Sequence, residues 1–241
     1  MTLGVRKVRQ GVPAYFHPSW AGTEWSWLTA EEGLDPVGIV VINPDTGPGA
    51  APDDAYRSVC AAAPRPDRCV AGYVDSGYGR RSIEDVVADA AAYACFYALD
   101  AVFVDQVSSG PDELRHYRRL VVALRERGVT NVLLNPGVPP DPGYRDLADV
   151  VVEFEGSWNT YRQFIRRTLD PADTVPGRSA RRWHLIHGAP PRKHADTIEW
   201  ARSGAVDYVY VTDRTMPNPW DGLPSTWSTL LRGTDEWARR Q

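Results

Sequence analysis

Asp105 and Glu155 are the two acids whose setting suggests chemistry. Each closes a short apolar run, Ala101-Val102-Phe103-Val104 before the first and Val150 to Phe154 before the second. Such runs are long enough for a strand and too short for a helix. A strand covered on both faces reads as continuous hydrophobics, as in a parallel α/β protein. Its carboxyl end opens into the loops where ligands bind. Gln106 adds a carboxamide directly after Asp105. A plainer role is also open: Asp105 can cap its loop by an Asx-type hydrogen bond.

The other runs end in similar groups. His17, Asn43, Asp75, Tyr78, Asn135, His187 and Asp213 follow apolar segments, with Trp and Tyr in the adjoining loops. Sugars call for this mixture: aromatic faces for C–H surfaces, and carboxylates or carboxamides for vicinal hydroxyls. Glycoside hydrolysis needs two carboxyl groups flanking the bond, one to donate a proton and one to act as nucleophile or base. Asp105 and Glu155 are the candidate catalytic pair, and the other named residues with Gln106 are candidate substrate contacts. If one strand separates theirs, the acids stand roughly 5–10 Å apart, which spans both retaining and inverting geometries. Glu153 shares the parity of Glu155 one layer deeper, where a buried hydrogen-bonded role is favoured over catalysis.

No metal set emerges. His184 and His187 fall at odd separation on one strand and so face opposite sides; His187 fits a mouth and His184 a structural place. Arg80 and Arg81 suit an anionic substrate or, more simply, a solvated helix end. No G-x-G-x-x-G follows the first strand, so no dinucleotide cofactor is expected.

The elements that must position these groups alternate along the chain. Strands are expected at 11–16, 37–42, 69–74, 100–106, 131–134, 150–154, 183–186 and 207–211. Helices are expected at 53–63, 82–97, 112–127, 159–168, 193–203 and 225–239, with short ones after Thr23 or Thr29 and near Tyr144 to Ala148. Ser82 with Asp85 makes an N-cap signal, and Gly128 a C-terminal stop. Pro171 to Ala180 reads as a polar loop. Eight β-then-α units in 241 residues point to a single (β/α)8 barrel spanning 1–241, with residues 1–10 as a flexible extension.

The totals narrow the partners. A formal charge of -4 argues against nucleic acid, which would want a basic face. No window approaches 18 apolar residues, so no membrane span is expected. Residues 1–10 are basic without the apolar core of a secretory signal. Cys60, Cys69 and Cys95 are odd in number and follow no metal spacing. Cytoplasmic location with reduced thiols is the expectation; a Cys60–Cys69 bridge belongs to the alternative of export.

Five ordered blocks carry a resemblance: Ile42-Asn43-Pro44 to Gly49, Gly72 to Arg80, Val102-Phe103-Val104-Asp105, Leu134-Asn135-Pro136-Gly137 and Val152-Glu153-Phe154-Glu155. They resemble the spherulin-4 (spherulation-specific) family. The resemblance implies a (β/α)8 barrel and a glycoside hydrolase of family 135, acting on N-acetylgalactosamine-containing polysaccharide. It implies essential acids in an Asp-Glu pair after strand four and a Glu after strand six; Asp105 and Glu155 match the first and last. Position 106 departs from the pattern, since Gln is shaped like Glu but cannot donate a proton as a general acid.

The leading expectation is therefore a metal-independent, glycoside hydrolase-like barrel acting on an amino-sugar glycoside, small or oligomeric. Two alternatives stand beside it. One is an intracellular tailoring enzyme (cyclase, isomerase or lyase) using the same acids. The other is a sugar-binding pseudoenzyme, motivated by Gln106.

Overall fold

Eight short apolar runs pair side by side in chain order and close on themselves as a parallel barrel. The strands are β1 (Arg9–Ala14), β2 (Val37–Ile42), β3 (Cys69–Asp75), β4 (Ala101–Asp105), β5 (Asn131–Leu134), β6 (Val150–Ser157), β7 (Arg181–His187) and β8 (Tyr208–Val211). Around them lie α1 (Gly22–Thr29), α2 (Asp54–Ala62), α3 (Ile83–Tyr97), α4 (Leu114–Glu126), α5 (Trp158–Thr168) and α6 (His194–Ser203). This is a (β/α)8 barrel. The computed structural model describes residues 8–30, 37–63, 67–168 and 180–230.

Local signals set the helix starts. The Asp53 carboxylate accepts the N–H groups of Ala55 and Tyr56, and Ser82 Oγ accepts that of Asp85, so orphan amides of α2 and α3 are satisfied by caps. Ala98 then closes α3 in a left-handed conformation, its N–H bonded to Ala94 and Tyr93.

Three details depart from the sequence reading. Arg9 and Gln10, expected in the extension, belong to β1: Arg9 N–H donates to Asp207 O at 3.0 Å and Gln10 pairs with Val37 and Val209. Between β5 and β6 a single 3₁₀ turn, Pro142–Tyr144, stands where a short helix at 144–148 was expected. Asp141 holds that turn by accepting the Gly143 N–H. Most of the loop at 171–180 lies outside the described residues. So does most of the helix expected at 225–239, of which 225–230 are described and 227–230 are helical.

The third departure concerns β6. Val152 pairs with Trp183, Phe154 with His184 and Glu155 with Leu185, so one residue of β6, Glu153, has no partner on β7. This is a β-bulge, and it resets the in–out alternation. Glu153 therefore does not sit beneath Glu155 on the inward side. Its buried carboxylate meets Arg182 Nε at 2.5 Å and Arg145 Nη2 at 2.7 Å. Arg182 also donates to Gly204 O, just beyond α6, which puts this trio among the helices.

Inside the barrel, Trp183 is fully buried and meets Phe103 edge-on at 5.5 Å between ring centroids. Across from it Gly11 leaves the necessary space, since a Cβ there would lie 2.6 Å from the indole. The barrel is thus a packed core rather than a pore. Outside, Phe154, Tyr161 and Ile165 form a second apolar layer with His184 enclosed. His184 Nδ1 bonds the Tyr161 hydroxyl at 3.0 Å, and burial pushes its imidazole down to about 3, so it serves as a neutral core residue.

Candidate active site

At the carboxyl ends of the strands the barrel opens into a cavity of about 820 Å³. That volume suits a small ligand. Asn43, Tyr78, Asp105, Gln106, Asn135, Glu155 and His187 line it. Three other candidates lie elsewhere. His17 bonds Asp53 through Nε2 at 3.1 Å, while its Nδ1 accepts the Ser19 N–H. Asp75 stands in register with Asp105, but its carboxylate turns to cap the Gly77 N–H at 2.6 Å. Asp213 caps the Ser225 N–H at 2.9 Å.

The two acids converge on one amide. Asn135 follows β5, its backbone pinned by bonds from its N–H to Val104 O and from Val107 N–H to its own carbonyl. Its buried Nδ2 donates to Asp105 Oδ1 at 2.7 Å and to Glu155 Oε2 at 2.6 Å. Only a nitrogen can bridge two carboxylates, so the amide's orientation is fixed. The sum of those two bonds limits the separation of the bonded oxygens to about 5.3 Å.

Each acid has further partners. Asp105 is bonded by the Tyr73 hydroxyl and the Gln106 N–H. Glu155 Oε1 accepts the Trp220 indole N–H at 3.3 Å. Trp220 is itself tied to β1, because its carbonyl accepts the Tyr15 N–H at 3.1 Å.

Charge follows from this enclosure. Burial, then repulsion from Asp105, pushes the Glu155 carboxyl up to about 6, against the opposing pull of Asn135 and Trp220. Burial also raises Asp105, aided by the nearby Asp75 and opposed by the Gln106 N–H, Tyr73 and Asn135. When Glu155 takes a proton, Oε1 is the better seat. Its donor is the more distant one, and Oε2 keeps the short bond from Asn135. Burial lowers His187, which keeps that imidazole neutral at pH 7.

The rim carries backbone strain. Thr46, Tyr78 and Gln106 all line the cavity and all adopt left-handed backbones, at φ 48°, 57° and 50°. For non-glycine residues this conformation is uncommon and collects at functional sites. At Gln106 it breaks strand alternation, so Asp105 and its neighbour both reach the cavity. The Gln106 carbonyl anchors the bend by accepting Tyr78 N–H at 2.6 Å and Ser76 Oγ at 2.8 Å.

Sequence reading missed Tyr15, Tyr73, Leu185 and Trp220, all of which line the cavity. Tyr73 was findable, two positions before Asp75 on the same strand face. Trp220 gave no signal, because a Pro-rich loop carries it in from β8. Among the described residues no three His, Cys, Asp or Glu side chains converge as metal ligands, and Cys60, Cys69 and Cys95 carry free thiols.

Three comparisons with known proteins bear on this mouth. The model of spherulation-specific family 4 matches residues 11–233. Spherulin-4 of Physarum polycephalum is 30% identical over 209 residues, covering 84% of this chain and 62% of its own length. The chain thus spans less than two thirds of that relative. Among solved structures, Aspergillus clavatus Sph3 in complex with GalNAc superposes with a TM-score of 0.77 at 26% identity, covering 94% of this chain and 97% of that one. The Rubisco of Pyrococcus horikoshii, at a TM-score of 0.50 and 13% identity over 100% of this chain and 61% of that one, shares the barrel alone.

Proposed function

The chain belongs to spherulation-specific family 4, and from that premise we propose that it hydrolyses an N-acetylgalactosamine-type glycoside with Asp105 and Glu155 as its carboxylate pair. The observation that carries the reading is the shared amide. Asn135 holds two half-buried acids across a sugar-sized cavity, one of them with its carboxyl raised to about 6. Glu155 is the general acid: its value lies close enough to neutrality for it to hold and release a proton. Asp105 is the nucleophile or orienting base. Their bonded oxygens stand no more than about 5.3 Å apart, which supports retention, for which carboxyl groups stand about 5–5.5 Å apart, over inversion, which needs about 6.5–9.5 Å to admit a water.

The cavity's charge supports a neutral or cationic sugar. Among its described lining residues Asp45, Asp105 and Glu155 are acids, and none is Lys or Arg. The likeness to a protein crystallised with GalNAc supports the amino-sugar class. Gln106 and Asn43 supply carboxamides for hydroxyl or acetamide groups.

The test is hydrolysis of aryl galactosaminide and N-acetylgalactosaminide substrates by the wild type, Asp105→Asn and Glu155→Gln. A fall of about 10²–10⁴-fold in each variant is expected. Equal residual rates in all three proteins would end the proposal. A second reading, sugar binding without turnover, draws on Gln106, whose amide cannot act as an acid. Calorimetric binding unaffected by Glu155→Gln, with no hydrolysis, would favour it.

A further inference from the structure

Glu153 is a buried charge that the proposed reaction does not use. Its carboxylate is 1% exposed, and one oxygen meets Arg145 while the other meets Arg182. A buried carboxylate is costly unless paired. Here two arginines from different parts of the chain hold it: Arg182 from β7, and Arg145 from the turn that joins β5 to β6. Arg145 is fixed in turn, since its N–H bonds Pro142 O and its carbonyl accepts the Ala180 N–H.

Glu153 is also the residue that β6 has in excess over β7. Val152 pairs with the inward Trp183. Strict alternation from Val152 would turn 154 inward and 155 out among the helices. The observed pattern is the reverse: Phe154 packs on Tyr161 and Phe164 in the helix layer, and Glu155 opens into the cavity. The inserted residue is the whole difference. Bulges beside active sites commonly re-aim a side chain in this way.

We propose that Glu153 is a positioning residue for Glu155: clamped by Arg145 and Arg182, it pins the β6 bulge that turns Glu155 into the mouth. The proposal rests on the reading of Glu155 as the acid, and it adds what places that acid. An apolar side chain at 153 removes the carboxylate that ties the extra residue to both arginines. The strand then gains by returning to regular pairing, which takes Glu155 out of the cavity.

The test uses Glu153→Leu and Glu153→Gln with two readouts. The first is kcat against KM on an aryl N-acetylgalactosaminide. A fall in kcat of about 10²-fold or more is expected for Glu153→Leu, with KM changed much less, and a smaller fall for Glu153→Gln, which keeps the shape and part of the hydrogen bonding. The second is the ¹⁵N–¹H signal of the Trp220 indole followed against pH. Asp45, Asp105, His187, Tyr15, Tyr73 and Tyr78 are the other ionisable side chains lining the cavity, but Glu155 is the carboxylate bonded to that indole. In the wild type the signal therefore follows Glu155, and in Glu153→Leu that titration disappears. If Glu153→Leu fails to fold, Glu153→Gln decides: a weakened indole titration with lowered kcat supports the proposal. A variant that folds and keeps both kcat and the indole titration of the wild type overturns it. The indole signal reads the placement of Glu155 even if no sugar is cleaved, so loss of the hydrolase reading and loss of this inference are told apart.

Discussion

Asp105 and Glu155 accept hydrogen bonds from the same nitrogen, Asn135 Nδ2, at 2.7 and 2.6 Å. One amide thus sets their spacing and stabilises both charges, opposing the burial that raises both and the repulsion from Asp105 that further raises Glu155. Replacing it by an apolar side chain of similar size, as in Asn135→Leu, removes the one opposing bond that the two acids share and leaves Trp220 on Glu155 and Tyr73 with the Gln106 N–H on Asp105. The acid limb of the pH–rate profile is expected to move upward by about one pH unit. The maximal rate should fall about tenfold or more as the spacing loosens. A profile superimposable on the wild type would show that the bridge does nothing in solution.

The same spacing bears on stereochemistry. Proton NMR of the first product released from a substrate of known anomeric form should show retention, as two carboxyl groups this close provide. An initially inverted product would mean that the acids separate before reaction and admit a water.

Stability should depend on pH in a particular direction. The Glu155 carboxyl lies at about 6 in the folded chain against an ordinary 4.5. Between those values the native state binds a proton that the unfolded chain has released. The group's contribution is therefore fully present below about pH 4.5 and is lost as pH rises through 6. Glu155→Gln, which carries no charge to bury, should exceed the wild type by about 1–2 kcal/mol at pH 8 and lose that margin at pH 4. Urea unfolding at the two pH values measures this. A margin that grows on acidification would contradict the burial argument.

Selectivity follows from the unbalanced acids of the mouth. Uronic acids and phosphorylated sugars should bind about tenfold or more weakly than their neutral counterparts at low salt, because they meet Asp45, Asp105 and Glu155 with no described lining cation to offset them. Calorimetry with matched sugar pairs measures the ratio, and equal affinities would require a cation from elsewhere in the protein.

The strand ends were legible in the sequence, because a parallel strand buried on both faces writes itself as an apolar run, and its first polar residue marks the mouth. Asp105, Asn135 and His187 were reached that way. His17, Asp75 and Asp213 show where the rule stops. All three end or follow strands, but each spends its side chain on hydrogen bonds away from the cavity that only coordinates reveal. Glu155 is more instructive. The sequence reading gave it the parity of Glu153, whereas an unpaired residue separates the two environments. No periodicity encodes a bulge whose cause is an ion pair to distant arginines. Trp220 was out of reach for a related reason, since its contact with Glu155 depends on how a loop folds back over β1.

Trp183 and Phe103 stopper the barrel beneath the acids, with Gly11 giving up its side chain so that the indole fits. The chamber is consequently a cul-de-sac. Whatever enters must depart through the same doorway, so a cleaved fragment lingering there obstructs the next arrival, and turnover is tied to how loosely the rim holds what remains.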